Sequence, residues 1–299
     1  MEPTLTYDPH PSAPTLQLPR GACDAHVHVF GPSARFPFAE VRSFTPADAP
    51  KETLFALHRH LGVERCVIVQ SLCHGFDNRV VEDAVAAGGG HYLGVALLPL
   101  DVADEELVRL ADAGFRGVRF NFSKHGAAFD VEGVVGFTRR LEPLGMHLQV
   151  HFERGMIHEL APALGRSAVP VVIDHMARVD AAAGTAQPDF IALHALMKNP
   201  LFRVKLSGID RISHDAGRAG YAEGVAIARR LVHDFPERCL WGTDWPHPLH
   251  DHVPDDGVLV DALERIAPDA ALRERLLVRN PESFYRFGSR RGSADPHGQ

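Results

Sequence analysis

Asp24-Ala25-His26-Val27-His28 sets two imidazoles two positions apart inside an apolar run. Alternation along a β-strand points both of them to one face. Two neighbouring buried imidazoles are costly to desolvate unless something uses them. A divalent metal ion is one such use, because neutral imidazole is the commonest protein ligand for metals. A hydrogen-bonded pair of core histidines is the other. Comparable residues close three further apolar runs: His151 ends His147-Leu-Gln-Val-His151, His175 ends Val171-Val-Ile-Asp-His175, and Asp244 follows Leu240-Trp-Gly-Thr. Taken singly, His151 reads first as a core or rim histidine, and Asp244 as a helix N-cap.

A cationic group accompanies them. Arg119 and Asn121 alternate on one face of Gly117-Val-Arg-Phe-Asn-Phe122, with Ser123, Lys124 and His125 following. A guanidinium in an apolar strand is either half of an internal ion pair or a fork for a substrate carboxylate. Arg211, six residues after Lys205, offers a second anion contact. Ser71, His74 and Asn78 add polar groups after the second apolar run, and Arg79 reads equally as a surface residue opening a helix. His58, His60, His194 and His233 fall on helical patterns and are expected to be solvated, while His10 and His297 lie in the tails. His247, His250 and His252 follow Asp244 closely enough to reach the same place.

The elements that must position these groups are legible as a pattern. Eight short apolar runs, 22–30, 65–70, 92–98, 117–122, 147–153, 169–175, 202–207 and 239–244, alternate with longer amphipathic segments such as 51–61 and 220–234. Near-continuous runs such as Cys66-Val-Ile-Val69 suit strands buried on both faces of a parallel sheet. Glycine or proline follows most helices, as at Gly62, Gly114, Gly145 and Pro236. Eight strands, each followed by a helix, within about 250 residues predict a (β/α)8 TIM barrel. An open doubly wound sheet is the other arrangement, but no Gly-x-Gly-x-x-Gly turn follows the first strand. In a barrel, functional side chains collect at the C-terminal ends of strands, and His26, His28, His151, His175 and Asp244 all fall there.

Residues 1–20 carry five prolines and read as an extended N-terminal arm. Residues 21–287 read as a single catalytic barrel domain and 288–299 as a flexible tail. Of the 299 residues, 45% are hydrophobic and 23% charged, as in an ordinary globular protein. A formal charge of −7 without any lysine/arginine run excludes a nucleic-acid binder. No apolar stretch reaches the roughly 18 residues of a membrane span, and no signal pattern opens the chain. Four scattered cysteines without a C-x-x-C pair read as free thiols, and the expected location is the cytoplasm. The oligomeric expectation is a monomer or small homo-oligomer.

Four segments, Gly21–Gly31, Arg116–Phe122, Val172–Arg178 and Leu240–Pro248, resemble the amidohydrolase superfamily. They look most like its branch of 2-pyrone-4,6-dicarboxylate lactonase and related muconolactone and sulfomuconolactone hydrolases, over residues 20–287. The resemblance implies a TIM barrel that opens a small anionic lactone in aromatic-compound breakdown. It implies that Asp244 is the general base, that His26, His28 and His175 surround the lactone carbonyl, and that Ser71 and Arg119 bind substrate. The pyrone lactonase works without metal and has tyrosine in place of His151. Here His26, His28, His151 and Asp244 restore the mononuclear zinc pattern of other superfamily members. His125 replaces a substrate-binding arginine, and Leu249 an asparagine. The expected enzyme holds one divalent ion, Zn²⁺, on those four residues. Asp244 or His175 moves the proton, and Arg119, Asn121, Ser71, Arg211 and His125 bind the substrate. A metal-independent pyrone-type lactonase and a metal-dependent decarboxylase on the same scaffold are the alternatives.

Overall fold

The computed structural model describes residues 4–122 and 130–288. His125 and nearly all of the expected tail lie outside the described residues. Eight strands form one parallel sheet in chain order: β1 (Cys23–Val27), β2 (Arg65–Val69), β3 (Tyr92–Leu97), β4 (Phe115–Phe122), β5 (His147–Phe152), β6 (Val171–Ile173), β7 (Phe202–Lys205) and β8 (Cys239–Leu240). Helices α1 (Lys51–Leu61), α2 (Arg79–Ala87), α3 (Asp104–Asp112), α4 (Val131–Leu141), α5 (Ile157–Leu164), α6 (Pro188–Leu196), α7 (Ile209–Ile212), α8 (Ala222–Asp234) and α9 (Asp256–Asp261) succeed them. The sheet curls into a TIM barrel. The sequence predicts it because strands covered on both faces must be apolar throughout, and β2 is buried at all five positions.

Backbone bonds from Ala25 N to the Trp241 carbonyl (2.8 Å) and from Asp244 N to the His26 carbonyl (2.9 Å) join β1 to the segment after β8. This seam requires glycine at 242, where a Cβ would sit 2.6 Å from the His26 nitrogen. Across it, Asp24 accepts from Thr243 Oγ1 (2.6 Å), from Thr243 N (3.1 Å) and from His26 N (3.1 Å). The two halves of the candidate site, 26–28 and 244, are therefore held in register by one buried carboxylate.

Strand β1 does not keep simple alternation. Its register against β2 shifts between Asp24 and Val27, which re-aims the following side chains. Cys23 and Ala25 join the inner cluster with Val67, Val69, Val95 and Leu240, whereas Val27 packs in the outer core beneath the helices. Asp24 faces α1, where His58 Nε2 lies 3.7 Å from it and His58 Nδ1 pairs with the Tyr92 hydroxyl at 2.8 Å. His58 is thus buried, not solvated as helical periodicity suggests, because it serves a buried carboxylate. His194 is also partly buried and pairs with Asp234 at 2.8 Å.

Tyr285, with Phe284, packs on His147 at the opposite end of the barrel from the site. Burial, with Lys205 adding to it, pushes the His147 imidazole down to about 3 from 6.5. The unfolded chain then binds a proton that the folded chain refuses, so this group's stabilising contribution is complete above pH 6.5 and is lost as pH falls toward 3. Each pH unit crossed in that window removes about 1.4 kcal/mol. We expect His147→Gln to flatten the acid side of a Tm-against-pH curve; an unaltered slope would show that His147 titrates freely in the folded protein.

Among residues 4–20, Ser12 donates its backbone N–H to Asp255 and the Thr15 and Leu16 N–H groups donate to Asp261, stapling the irregular arm to α9. Cys23, Cys66, Cys73 and Cys239 are buried free thiols. Among the described residues no helix is long and apolar enough to cross a membrane.

Candidate active site

His26 and His28 leave the end of β1 with their rings edge to face, centroids 5.1 Å apart. Asp244 meets them from the far side of the seam. Its Oδ1 lies 3.6 Å from His26 Nε2, 3.6 Å from His28 Nε2 and 3.8 Å from His175 Nε2. Three imidazoles thus surround one carboxylate oxygen, and all four side chains are buried.

The His28 ring is oriented from behind. Its Nδ1 lies 2.7 Å from the Val69 carbonyl, which can only accept, so Nδ1 carries the proton. In neutral His28 the Nε2 therefore presents a lone pair toward Asp244 Oδ1. Burial holds the His26 imidazole down to about 4, and burial likewise holds His175 well below its ordinary value. Neutral His26 has one proton for two carboxylates, since its Nδ1 lies 3.4 Å from Asp174 Oδ1. Both His26 nitrogens, Asp174 Oδ1 and Asp244 Oδ1 lack a hydrogen-bond partner. A cation among these atoms would relieve that deficit.

His175 owes its position to backbone strain. His175, Met176, Ala177 and Arg178 all have positive φ, between 46° and 58°. A left-handed turn of non-glycine residues costs roughly 1–2 kcal/mol per residue. It brings His175 Nδ1 to 3.0 Å from Ser207 Oγ and its ring to 4.6 Å from that of His26.

The expected ligands separate at this point. His26, His28 and Asp244 offer atoms within 4.8 Å of one another, and so do His26, Asp174 and His175. His151 joins neither group. It stands opposite Asn121 in the β4–β5 register, with its ring edge against His175 at 5.5 Å. The Asn121 Nδ2 is buried there without a partner.

The arginines are likewise partitioned. Arg119 Nε donates to Asp174 Oδ2 at 2.8 Å, the internal ion pair open at the sequence level. Arg211 donates through Nε (2.9 Å) and Nη2 (2.5 Å) to Asp244 Oδ2. Burial would raise the Asp244 carboxyl; Arg211 and His175 outweigh it and hold the group well below the carboxylate range. Asp244 is therefore ionised, with one oxygen spent on Arg211 and the other turned to the histidines. Ser71 is buried on the same rim after β2, where its Oγ accepts from Cys73 N at 3.5 Å. His74 does not serve the rim, since it bonds the Pro37 carbonyl and Gly31 N. Asn78 is spent on the backbone of Leu97 and Phe76, and Arg79 forms an exposed pair with Asp77.

A family model described as Amidohydrolase matches residues 23–287. The chain belongs to the amidohydrolase family. It is 44% identical to the 2-pyrone-4,6-dicarboxylate hydrolase of Comamonas testosteroni over 290 residues, covering 94% of this chain and 95% of that one. It is 40% identical to the 4-sulfomuconolactone hydrolase of Rhizobium radiobacter, covering 92% and 93%. A crystal structure from Pseudomonas putida, provisionally described as a 2-pyrone-4,6-dicarboxylic acid hydrolase, superimposes with a TM-score of 0.78 at 31% identity, over 91% of this chain and 100% of that one.

This amidohydrolase carries three groups at its site that the sequence pattern does not single out. Asp174 bridges His26 and Arg119. Lys205, buried on β7 and bonded to Gln149 Oε1 at 2.8 Å, lies close enough to Asp174 to share its charge; burial pushes it down to about 8. Arg178 is partly buried and, among the described residues, makes no ion pair. Burial, and next the charge of Arg211, push it down to about 10. Arg119, Arg178 and Arg211 all act on His151. Asp174 and Arg178 both lie in the Val172–Arg178 segment, but the partners of Asp174 come from other strands.

Proposed function

We propose that this amidohydrolase hydrolyses a small lactone bearing anionic groups, of the muconolactone or sulfomuconolactone type. The observation that carries this is the single carboxylate oxygen of Asp244 facing three histidine Nε2 atoms, near an Arg178 that makes no ion pair among the described residues. Arg119, Arg178 and Arg211 gather near His151 in a chain of net charge −7, a local cationic group suited to orienting an anion.

The chain's own groups account for the ring opening. His26, His28 and His175 line the place where the lactone carbonyl would sit, and of these His26 and His175 can turn an N–H to its developing oxyanion. Asp244 takes a proton from water as the water oxygen bonds to the carbonyl carbon. The ring C–O bond then breaks, and the same proton passes from Asp244, or through His175, to the ring oxygen as it leaves. Asp244 held far below the ordinary carboxylate range is a weak base, so the water must be acidified by its surroundings. His26, His28 and Asp244 are the residues that would hold a divalent ion, with zinc the proposed one and His151 beside them rather than among them. Such an ion, when bound, lowers the pKa of water toward neutrality and polarises a carbonyl.

Arg178, which makes no ion pair among the described residues and feels the charge of Asp244, is the cation we assign to the substrate anion, with Asn121, Ser71 and Arg119 as further substrate contacts. We expect Arg178→Met to raise KM at least tenfold, about 1.4 kcal/mol, with a smaller effect on kcat. Steady-state assays on a panel of carboxylated and sulfonated lactones, followed by proton release, test both statements. Release of CO2 without ring opening would overturn the hydrolase reading in favour of a decarboxylase. An unchanged KM in the Arg178 variant would remove that residue from the anion site.

A further inference from the structure

The loop after β8 carries His247, His250 and His252, none of which the ring-opening chemistry uses. His250 is nearly buried, and its Nε2 lies 2.5 Å from Oδ2 of the fully buried Asp210. The contact is close, and among the described residues neither Asp210 oxygen receives an aligned hydrogen bond. Asp210 immediately precedes Arg211 in α7.

Three groups act on Asp210: His250, His247 and Arg211. Two of them are committed elsewhere. His247 Nε2 pairs with Asp256 Oδ1 at 3.2 Å, and its backbone N–H donates to the Asp244 carbonyl at 2.8 Å. Arg211 grips Asp244 Oδ2, and its Nη2 also donates to the Pro248 carbonyl at 3.0 Å. That leaves His250, which is itself wedged edge to face against His252 (4.5 Å), whose Nε2 meets the Tyr221 hydroxyl at 3.1 Å. A buried carboxylate stripped of its close partner recruits the nearest cation able to reach it. For Asp210 that cation is its own chain neighbour, Arg211.

We propose that His250 is a positioning residue: by satisfying Asp210 it keeps Arg211 clamped on Asp244 Oδ2 and so leaves Asp244 Oδ1 turned to the three histidines. The same contact pins the loop after β8 onto α7. Burial would raise the Asp210 carboxyl; His250, together with His247 and Arg211, holds it below its ordinary value.

Crystal structures and kinetics of His250→Asn and of the double variant Asp210→Asn/His250→Asn test this. In the single variant Arg211 should turn from Asp244 toward Asp210, with kcat falling about 10–100-fold and KM changing little. The double variant, which removes the orphaned charge, should return Arg211 to Asp244 and restore most of kcat. Arg211 still on Asp244 in the single variant, or a double variant as slow as the single one, would overturn the proposal. His250→Gln provides the same comparison if asparagine does not fold. The kinetic arm rests on the lactonase reading, whereas the crystallographic arm does not. A wild-type chain inactive on every lactone would sink that reading, and the position of Arg211 would still decide the role of His250.

Discussion

Asp244→Asn is expected to lower kcat on the best lactone by about 10³-fold or more, equivalent to roughly 4 kcal/mol of barrier. The size follows from position. Asp244 Oδ1 faces three imidazoles, at 3.6, 3.6 and 3.8 Å. The amide that replaces it can accept from Arg211 but can take no proton from water. KM should change little, because Arg178 and Arg119 remain. The variant also leaves Arg211 without its counter-charge, a buried imbalance worth a few kcal/mol of stability. A thermal melt is needed beside the kinetics, and a folded variant with more than a tenth of wild-type kcat would remove Asp244 as the base. If His175 is the acting base instead, His175→Gln should show the larger loss.

The second large effect is expected from metal. Purified protein should hold about one equivalent of divalent ion by elemental analysis. Chelation should lower activity at least 10³-fold, and added zinc should restore it. The physical ground is the arrangement of acceptors: the His28 Nε2 lone pair, fixed by the Val69 carbonyl, converges with a His26 nitrogen and Asp244 Oδ1, and the last two lack hydrogen-bond partners. His28→Gln should reduce both occupancy and kcat. His151→Tyr should leave occupancy nearly intact, since His151 joins neither convergent group. Full activity of metal-free protein would overturn the zinc proposal. The hydrogen bonds to the carbonyl would then have to come from His26 and His175, since the proton of neutral His28 is on Nδ1.

Particular residues show how far the sequence could be read. The barrel was legible because buried parallel strands leave uninterrupted apolar runs, and eight such runs at helix-length intervals admit few folds. His26, His28, His175 and Asp244 were legible for a related reason: they end strands, and every strand end of one polarity opens onto the same rim. Asp24 was not, because alternation puts it on the face of His26. The register shift in β1 instead turns it toward α1, to His58 and Thr243. His58 was expected in solvent for the same reason, since helical periodicity cannot foresee a buried carboxylate on a neighbouring strand.

The sequence by itself determined the element order, the rim on which chemistry collects and the residue types available there. All three follow from local periodicity and the geometry of a barrel. Tertiary structure decided which charge neutralises which. Arg119 meets Asp174 across 55 positions, Arg211 meets Asp244 across 33, and Asp24 meets Thr243 across 219. Such pairings depend on strand register, one bulge and one left-handed turn. These set distances of a few ångströms between side chains whose separation in sequence carries no such information. Hence Arg211, an anion contact by its place in the sequence, is spent on Asp244 in the fold, while Arg178 makes no ion pair among the described residues.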